Sequence, residues 1–425
     1  MAKKLIKTFP SKEKALLVVI DFKERKKKEF SFEEEKEELR ELVISCGCEV
    51  VEAVRVSLKE VNPSLFVGKG KAEEISQLAW EKKAQVVIFN TDLSPTQQRN
   101  LEDIIGLKTI DRTQLILDIF AQHAKTSTGK IQVELAQLEY LLPRLKGKGI
   151  FLSRLGGGIG TRGPGEKKLE IEKRRIEERI TKLKKELKNI RNYRQILRKR
   201  REKEGVFTIA LIGYTNTGKT SLLNSLTGEN QKAESALFTT LDPLTRDLKL
   251  REKVVISDTV GFIHNLPQKL IEAFKATLEE LEYSDLLLQV VDISKSNFEK
   301  VIRAVETILK DLGLGDKPSL YVFNKIDKLN SSDLERIKKK YPQALYISAK
   351  YHQNLDSLIK KIEEKILENF LEVKVVVSYF QTGLLNFIYK KAQILSSEYS
   401  SDNKIRFKLR LSRQDYLQLK KLLHF

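Results

Sequence analysis

Apolar positions change their spacing several times along this chain, and each change predicts a different kind of element. Over the first hundred residues, the apolar runs LLVVIDF (16–22), VVEAVRVSL (50–58) and QVVIFN (85–90) alternate with helix-like stretches, among them an acidic run from Phe32 to Ser45 and another from Ala72 to Lys83. Strand-like runs separated by helical crossovers predict a small α/β domain with a partly parallel sheet. From about Thr113 the pattern becomes that of long helices: Ile131, Leu135, Leu138 and Leu142 are spaced 4, 3 and 4 apart, and Ile176, Ile180, Leu183, Leu187 and Ile190 continue the same period. That is heptad spacing on two segments. Between them, Pro143 to Gly165 holds eight glycines and five basic residues (Arg144, Lys146, Lys148, Arg154, Arg162) with no acid, a composition that resists both helix and strand. An antiparallel helical hairpin with a basic, flexible tip is the expectation.

After Gly205 the alternation returns, with VFTIALIG, a helix from Lys219, paired strands near Leu248–Leu250 and Val254–Ile256, then LLLQVVD, SLYVFN and ALYIS with helices between. This predicts a doubly wound α/β domain. Beyond it VKVVVSYF, TGLLNFIYKKAQIL, IRFKLRL and a short closing helix predict a small strand, helix, strand, helix unit. The expected fold class is therefore α/β multidomain, in four parts. These are an N-terminal α/β domain (1–112), a helical hairpin (113–204, tip 143–165), a doubly wound P-loop domain (205–370) and a small C-terminal α+β domain (371–425).

Charge sharpens this picture. The 425 residues carry 78 Lys plus Arg against 58 Asp plus Glu, a net of +20 that points to a polyanionic partner. The second hairpin arm, Glu166 to Glu204, has 17 basic and 8 acidic residues, so nearly half of the surplus lies on one helix. That helix would run about 58 Å at ~1.5 Å per residue. The acid-free glycine loop beside it lets backbone approach phosphates and bases closely, so nucleic acid is the favoured partner. No run approaches the ~18 apolar residues of a membrane helix, and the start MAKKLIKTFP meets charge and proline before a signal-peptide core can form. Cys46 and Cys48 are too close for an ordinary disulfide and too few for a zinc cage, so reduced thiols in a cytoplasmic protein are expected.

The candidate chemistry lies in the third domain. Gly213, Tyr214, Thr215, Asn216, Thr217, Gly218, Lys219 and Thr220 spell GYTNTGKT, which fits G-x-x-x-x-G-K-[ST] directly after an apolar strand and before a helix. In that setting backbone N–H groups wrap phosphates at a helix N-terminus, Lys219 places a charge on the β- and γ-phosphates, and the Thr220 hydroxyl ligates Mg2+. Asp258, Thr259, Val260 and Gly261 (DTVG) follow a strand, where Asp258 can hold the metal through a water and the Gly261 N–H can meet the γ-phosphate. Asn324, Lys325, Ile326 and Asp327 (NKID) end another strand, and the Asp327 carboxylate can accept two hydrogen bonds from guanine, a pattern adenine lacks. Ser348, Ala349 and Lys350 (SAK) end the next and can offer a backbone N–H to the guanine carbonyl. Within Phe238, Thr239, Thr240, Leu241 and Asp242, Thr240 is the candidate for a second Mg2+ hydroxyl, with Thr239 its near rival.

Many GTPases place a water-orienting glutamine directly after DTVG, where this chain has Phe262, so hydrolysis is expected to be slow alone and faster when a partner positions the water. His264 is read as a loop residue. Asn216 is a candidate for coordinating K+ in place of an arginine finger. Lys219, Thr240, Gly261 and Asn216 make up the expected catalytic set.

With these motifs assembled, the chain resembles the HflX family of ribosome-associated GTPases over nearly its whole length. The resemblance is carried by FVGKGKAEEI from Phe66, DLSPTQQRNLE from Asp92, DRTQLILDIFAQHAKTSTGKIQVELAQLEYLLPRL from Asp111, GGGIGTRGPGE from Gly156, GYTNTGKT, FTTLDP and DTVGFIHNLP. It implies a GTPase that binds the large ribosomal subunit, reaches toward the peptidyl-transferase region with its glycine-rich tip and dissociates stalled or idle ribosomes, notably under stress. Ribosomal RNA contacts are then expected at Arg154, Gly156, Gly157, Gly158, Gly160 and Arg162, in a monomer. Thr217 stands where alanine is usual, Thr220 replaces a common serine and Thr239 sits where alanine is frequent, yet no needed hydroxyl or charge is lost. GKGK (68–71) is read as a solvated turn before a helix in preference to a phosphate contact. The alternative from another class is an RNA-binding assembly or remodelling factor whose nucleotide is mainly structural.

Overall fold

The structure, a computed structural model, describes residues 12–22, 30–145, 164–228, 237–238, 244–264, 267, 270, 280–368, 370–400 and 402–423. In the N-terminal head, β1 (Lys14–Phe22), β2 (Glu49–Leu58), β3 (Val86–Phe89) and β4 (Lys108–Ile110) form one sheet in the order β2-β1-β3-β4, with every pairing parallel. Strand β1 is buried from Ala15 through Asp21, which is why it reads as a run and not as an alternation: helices cover both faces. Helices α1 (Phe32–Ser45) and α4 (Arg112–His123) pack against Ala15, Leu17 and Val19. Leu16, Val18 and Ile20 pack on the other face against α2 (Lys69–Glu81) and α3 (Pro95–Ile105). Ser31 with Glu34 and Ser94 with Gln97 close capping boxes that start α1 and α3. Gly68 is the N-cap of α2, so the GKGK segment forms the helix's first turn and not a turn ahead of the helix.

The hairpin arms are α5 (Ser127–Leu145) and α6 (Pro164–Lys203). Leu135, Ile180 and Leu183 are buried at their seam and Ile131, Leu138, Leu142, Ile176 and Leu187 pack around them, the residues that the heptad spacing selects. Arg179–Glu134 (2.6 Å) and Lys184–Glu139 (2.8 Å) flank the seam. The tip (146–163), with Arg154, Gly156, Gly157, Gly158, Gly160 and Arg162, lies outside the described residues. One of the five expected tip cations is committed elsewhere: Arg144 stacks on Tyr140 at 3.4 Å, pairs with Asp111 at 2.9 Å and donates to the Leu93 carbonyl at 2.8 Å. It fastens the end of α5 to the head.

The third domain is a six-stranded sheet in the order β10-β9-β8-β5-β7-β6. Its strands are β5 (Phe207–Ile212), β6 (Leu244–Lys249), β7 (Lys253–Asp258), β8 (Leu286–Asp292), β9 (Ser319–Asn324) and β10 (Leu345–Tyr346), with β6 the single antiparallel edge. Helices α7 (Lys219–Thr227), α8 (Phe298–Asp311), α9 (Ser331–Lys340) and α10 (Leu355–Glu368) accompany it. The carboxyl ends of β5, β7, β8, β9 and β10 share one edge, where open α/β sheets hold ligands.

The C-terminal unit departs from its predicted order. Helix α11 (Thr382–Lys391) ends early, and Gln393–Ser400 forms a further strand, β12, in an antiparallel sheet β11-β13-β12 with β11 (Phe370–Ser378) and β13 (Lys404–Ser412), closed by α12 (Arg413–Leu422). Strand β12 is an exposed edge built of QILSSEYS, so it lacks the buried apolar face that marks a strand in sequence. Among the described residues no helix is long and apolar enough to cross a membrane.

Candidate GTP site

Strand β5 delivers the chain into the loop 213–218, and α7 begins at Lys219. Gly218 sits at φ +91°, and a Cβ there would lie 2.4 Å from the Asn324 side-chain nitrogen, so only glycine fits the turn. The loop curls around Lys219, whose buried ammonium donates to the Gly213 carbonyl at 3.1 Å and the Tyr214 carbonyl at 2.8 Å. Burial pushes its pKa down to about 8 against the opposing pull of Asp258, while Lys325 adds to the fall. The Thr220 hydroxyl donates to Asp258 Oδ2 at 2.7 Å, and Asp258 is fully buried at the end of β7. A hydroxyl beside a carboxylate at a phosphate loop is a hard-oxygen set that suits Mg2+. When bound, that ion neutralises charge on phosphate oxygens. Thr239, Thr240, Leu241 and Asp242 lie outside the described residues.

The base-reading end is tied to this loop. The Asn324 amide donates to the Thr217 carbonyl at 2.8 Å and its oxygen accepts from the Ala349 N–H at 3.0 Å, so one side chain joins phosphate loop, β9 and the SAK turn. Lys325, at φ +66°, reaches back to the Asn216 carbonyl at 2.7 Å and to Asp292 at 2.7 Å. The Ser348 hydroxyl donates to Asp327 Oδ1 at 2.6 Å, which orients that carboxylate at the strand ends. Ile326 packs in the cluster of Phe323 and Val291, and the Lys350 ammonium lies 5.0 Å over the Tyr351 ring. The arrangement can hold a nucleotide between Lys219 and Asp327.

Around the expected γ-phosphate position, backbone hydrogen bonds tie the loop after Asp258 to the phosphate loop. The Phe262 N–H donates to the Gly213 carbonyl at 3.0 Å, and its carbonyl accepts from the Thr215 N–H at 2.8 Å. Phe262 is 2% exposed, and its ring packs with Ala210, Ile212 and Leu281 inside the sheet's helical layer. Thr259 donates to the Leu211 carbonyl at 2.6 Å, and Val260 packs toward the head. Phe238 also turns to the head: its ring meets Phe120 at 4.7 Å, and the neighbouring Leu237 N–H donates to Ser45 Oγ at 2.9 Å.

Two residues close to the site escape sequence reasoning entirely. Glu38 of α1 accepts a hydrogen bond from the Tyr214 hydroxyl and pairs with Arg112 of α4. Burial pushes the Tyr214 phenol well above its usual range and the Glu38 carboxylate adds to the rise, so Tyr214 keeps its proton and donates. His264 joins through its backbone, while its ring rests on Phe30 at 4.3 Å. No spacing rule links positions 38, 112, 214 and 264.

Comparison with known proteins accords with this geometry. Residues 33–121 match the family profile described as "GTP-binding GTPase N-terminal", 123–201 the "GTP-binding GTPase Middle Region", and 208–325 the "50S ribosome-binding GTPase". The chain is 43% identical over 393 residues to GTPase HflX of Caldanaerobacter subterraneus subsp. tengcongensis, covering 91% of this chain and 89% of that protein. It is 37% identical over 412 residues to GTPase HflX of Escherichia coli, covering 96% and 95%. Among solved structures, a GTP-binding protein from Sulfolobus solfataricus in complex with GDP aligns at 28% identity and a TM-score of 0.43, over 84% of this chain and 99% of that one. Full-length similarity of this depth to the curated relatives places the chain in the HflX family, as a GTP-binding protein and GTP hydrolase.

Proposed function

We propose that this GTPase binds the large ribosomal subunit in its GTP form and promotes dissociation of stalled or idle ribosomes under stress, hydrolysing GTP faster on the ribosome and leaving as the GDP form. In this reading Gly213 through Thr220, Phe238 through Asp242, Asp258 through Gly261, Asn324 through Asp327 and Ser348 through Lys350 surround the nucleotide, with Mg2+ on Thr220 and Thr240. The Asn216 loop takes K+, and the glycine-rich tip meets ribosomal RNA near the peptidyl-transferase region. The protein acts as a monomer in the cytoplasm, with domain limits near residues 112, 204 and 370.

The observation that carries the ribosomal reading is α6, a 40-residue helix in which, among the described side chains, Ile180 and Leu183 are buried while Arg174, Arg175, Lys182, Lys185, Lys188 and Arg191 are exposed. A helix that exposes this much positive charge suits an RNA surface better than a protein core. The phosphate-loop geometry supports nucleotide control of that surface. The test is GTP turnover with and without purified large subunits, in potassium and in sodium, together with co-sedimentation. Subunit-stimulated turnover and GTP-dependent co-sedimentation are expected. Equal turnover with and without subunits would instead favour the structural-nucleotide alternative, and equal rates in the two salts would remove K+.

A further inference from the structure

The C-terminal unit covers its sheet on one side only. Along β13, Ile405, Phe407, Leu409 and Leu411 are buried with Leu384 and Ile388 of α11 and Leu419 of α12. The alternate positions Lys404, Arg406 and Lys408 are exposed on the other side, as a period of two requires. The antiparallel register sets Lys374 and Val376 of β11 opposite Lys408 and Arg406, and Ser396 and Glu398 of β12 opposite the same two, so all of them share the open face. Glu372 neutralises part of that face, bonding Lys408 at 3.1 Å and Arg410 at 2.8 Å. Among the described residues, Lys374, Lys404 and Arg406 pair with no carboxylate.

One end of this sheet carries exposed aromatic rings. Ser378 ends β11 opposite Lys404, and the Tyr379 N–H donates to the Asn403 carbonyl at 3.0 Å, which fastens the turn after β11 to the turn between β12 and β13. Tyr379 and Tyr399 lie near-parallel there, with ring centroids 6.4 Å apart and planes 13° apart. Tyr399 is 68% exposed, and Phe380, next to Tyr379 in the chain, is 81% exposed. Clustered rings left in water beside uncommitted cations suit a partner more than they suit the fold.

We propose that this end of the C-terminal sheet binds single-stranded RNA, with bases stacked on Tyr379, Phe380 and Tyr399 and phosphates along Lys404, Arg406 and Lys374. Every base offers a π-face to an aromatic ring, and a row of cations supplies attraction for the backbone that is independent of sequence. A paired helix keeps its base faces stacked inside and would leave the rings unused, so an unpaired loop is the form of RNA that fits. An anionic membrane fits less well, because Glu372 and Glu398 lie among the cations of the open face and would be pressed against anionic headgroups. The inference extends the ribosomal reading to a surface separate from the hairpin. It rests on that reading only for the source of the RNA, a loop of the large subunit.

The test uses the full-length chain and a short single-stranded RNA of mixed sequence carrying a photo-crosslinkable uridine, alongside purified large subunits. Affinity is read from the concentration dependence of crosslinks mapped to residues 370–412, which separates this surface from the hairpin. Phe380→Ala with Tyr399→Ala is expected to weaken binding about fivefold or more and to leave its salt dependence unchanged, since stacking neutralises no phosphate. Lys404→Gln with Arg406→Gln is expected to lower the slope of log affinity against log salt by about 1.4, at ~0.7 for each phosphate contact. Lys390→Gln with Lys420→Gln removes the same charge from α11 and α12 behind the sheet and is expected to change neither quantity. If the aromatic pair loses its fold on thermal unfolding, the cation pair and the crosslink positions decide. Crosslinks confined to the hairpin, full affinity in both pairs, or an equal loss in the Lys390 and Lys420 pair would each overturn the proposal. So would losses on large subunits with RNA binding intact, which would mean a ribosomal protein as partner, or losses seen only on phosphatidylserine vesicles, which would mean a membrane. Failure of the unaltered chain to co-sediment with large subunits would instead remove the ribosomal reading and leave the RNA surface standing.

Discussion

Lys219 is the residue at which burial and function oppose each other most directly. Its pKa is pushed down to about 8 by desolvation, so between there and the ordinary lysine range the folded protein binds fewer protons than the unfolded chain. By linkage this residue's contribution to stability rises with pH across that window, and below it the buried charge costs stability. Nucleotide phosphates require the charged form, so binding near pH 8 takes up a proton: GTP affinity is expected to fall as pH rises above 8, and calorimetry in buffers of different ionisation enthalpy measures the uptake. Lys219→Ala is expected to abolish productive GTP binding, and Asp327→Asn to weaken guanine selectivity, both readable by nucleotide competition. At Gly261 a Cβ would stand 2.9 Å from Thr215 Cγ2 and 3.0 Å from Lys219 Nζ. Gly261→Ala should therefore displace the lysine or the loop and lower hydrolysis more than it lowers GDP binding, as a comparison of kcat with GDP affinity will show. These motif residues were legible in the sequence because each motif is a few consecutive positions at a strand end. Glu38, Arg112, Tyr214 and His264 were not legible as a group, because they are joined only by folding.

At the scale of elements, the hairpin seam follows directly from its heptads, since burial on one stripe of a helix leaves a period that survives in the sequence. Leu183 is fully buried there, and Leu183→Ala is expected to cost about 2–5 kcal/mol locally, seen as faster amide exchange in α5 and α6 with the nucleotide site unchanged. The neighbouring failure is equally physical. Strand β12 pairs with β13 on one side only and exposes most of its residues, so hydrogen bonding to β13 and not an apolar pattern specifies it. The commitment of Arg144 to Asp111 and Tyr140 was hidden for the same reason: a cation in a glycine-rich segment reads as solvent-facing until a tertiary partner is known.

For the whole molecule, composition indicated a polyanionic partner and the fold separates the parts that would meet it from the part that binds nucleotide. Removal of residues 156–165 is expected to leave GTP binding intact and to reduce ribosome-stimulated turnover, with nucleotide titration and turnover on large subunits as the paired measurements. The chain crosses from head and hairpin into the GTPase domain once, through Gly205 at the end of α6, with Arg198 bracing that crossing on Glu280 at 2.6 Å. The hydrogen-bonded ring of Glu38, Tyr214, His264 and Arg112 ties the same two bodies together a second time. With the Leu237–Ser45 and Lys295–Glu41 contacts and the core shared around Ile263, the ring completes a closed frame, in which the far end of α6 cannot swing unless these contacts give together. Were all of these contacts released, α6 would become an arm of about 60 Å pivoting near Gly205, and a 5° turn at that pivot would carry its far end about 5 Å, close to one helical pitch. Loss of the contacts around the 260–264 strip would thus appear as a displacement on the scale of a nucleotide at the opposite end of the protein.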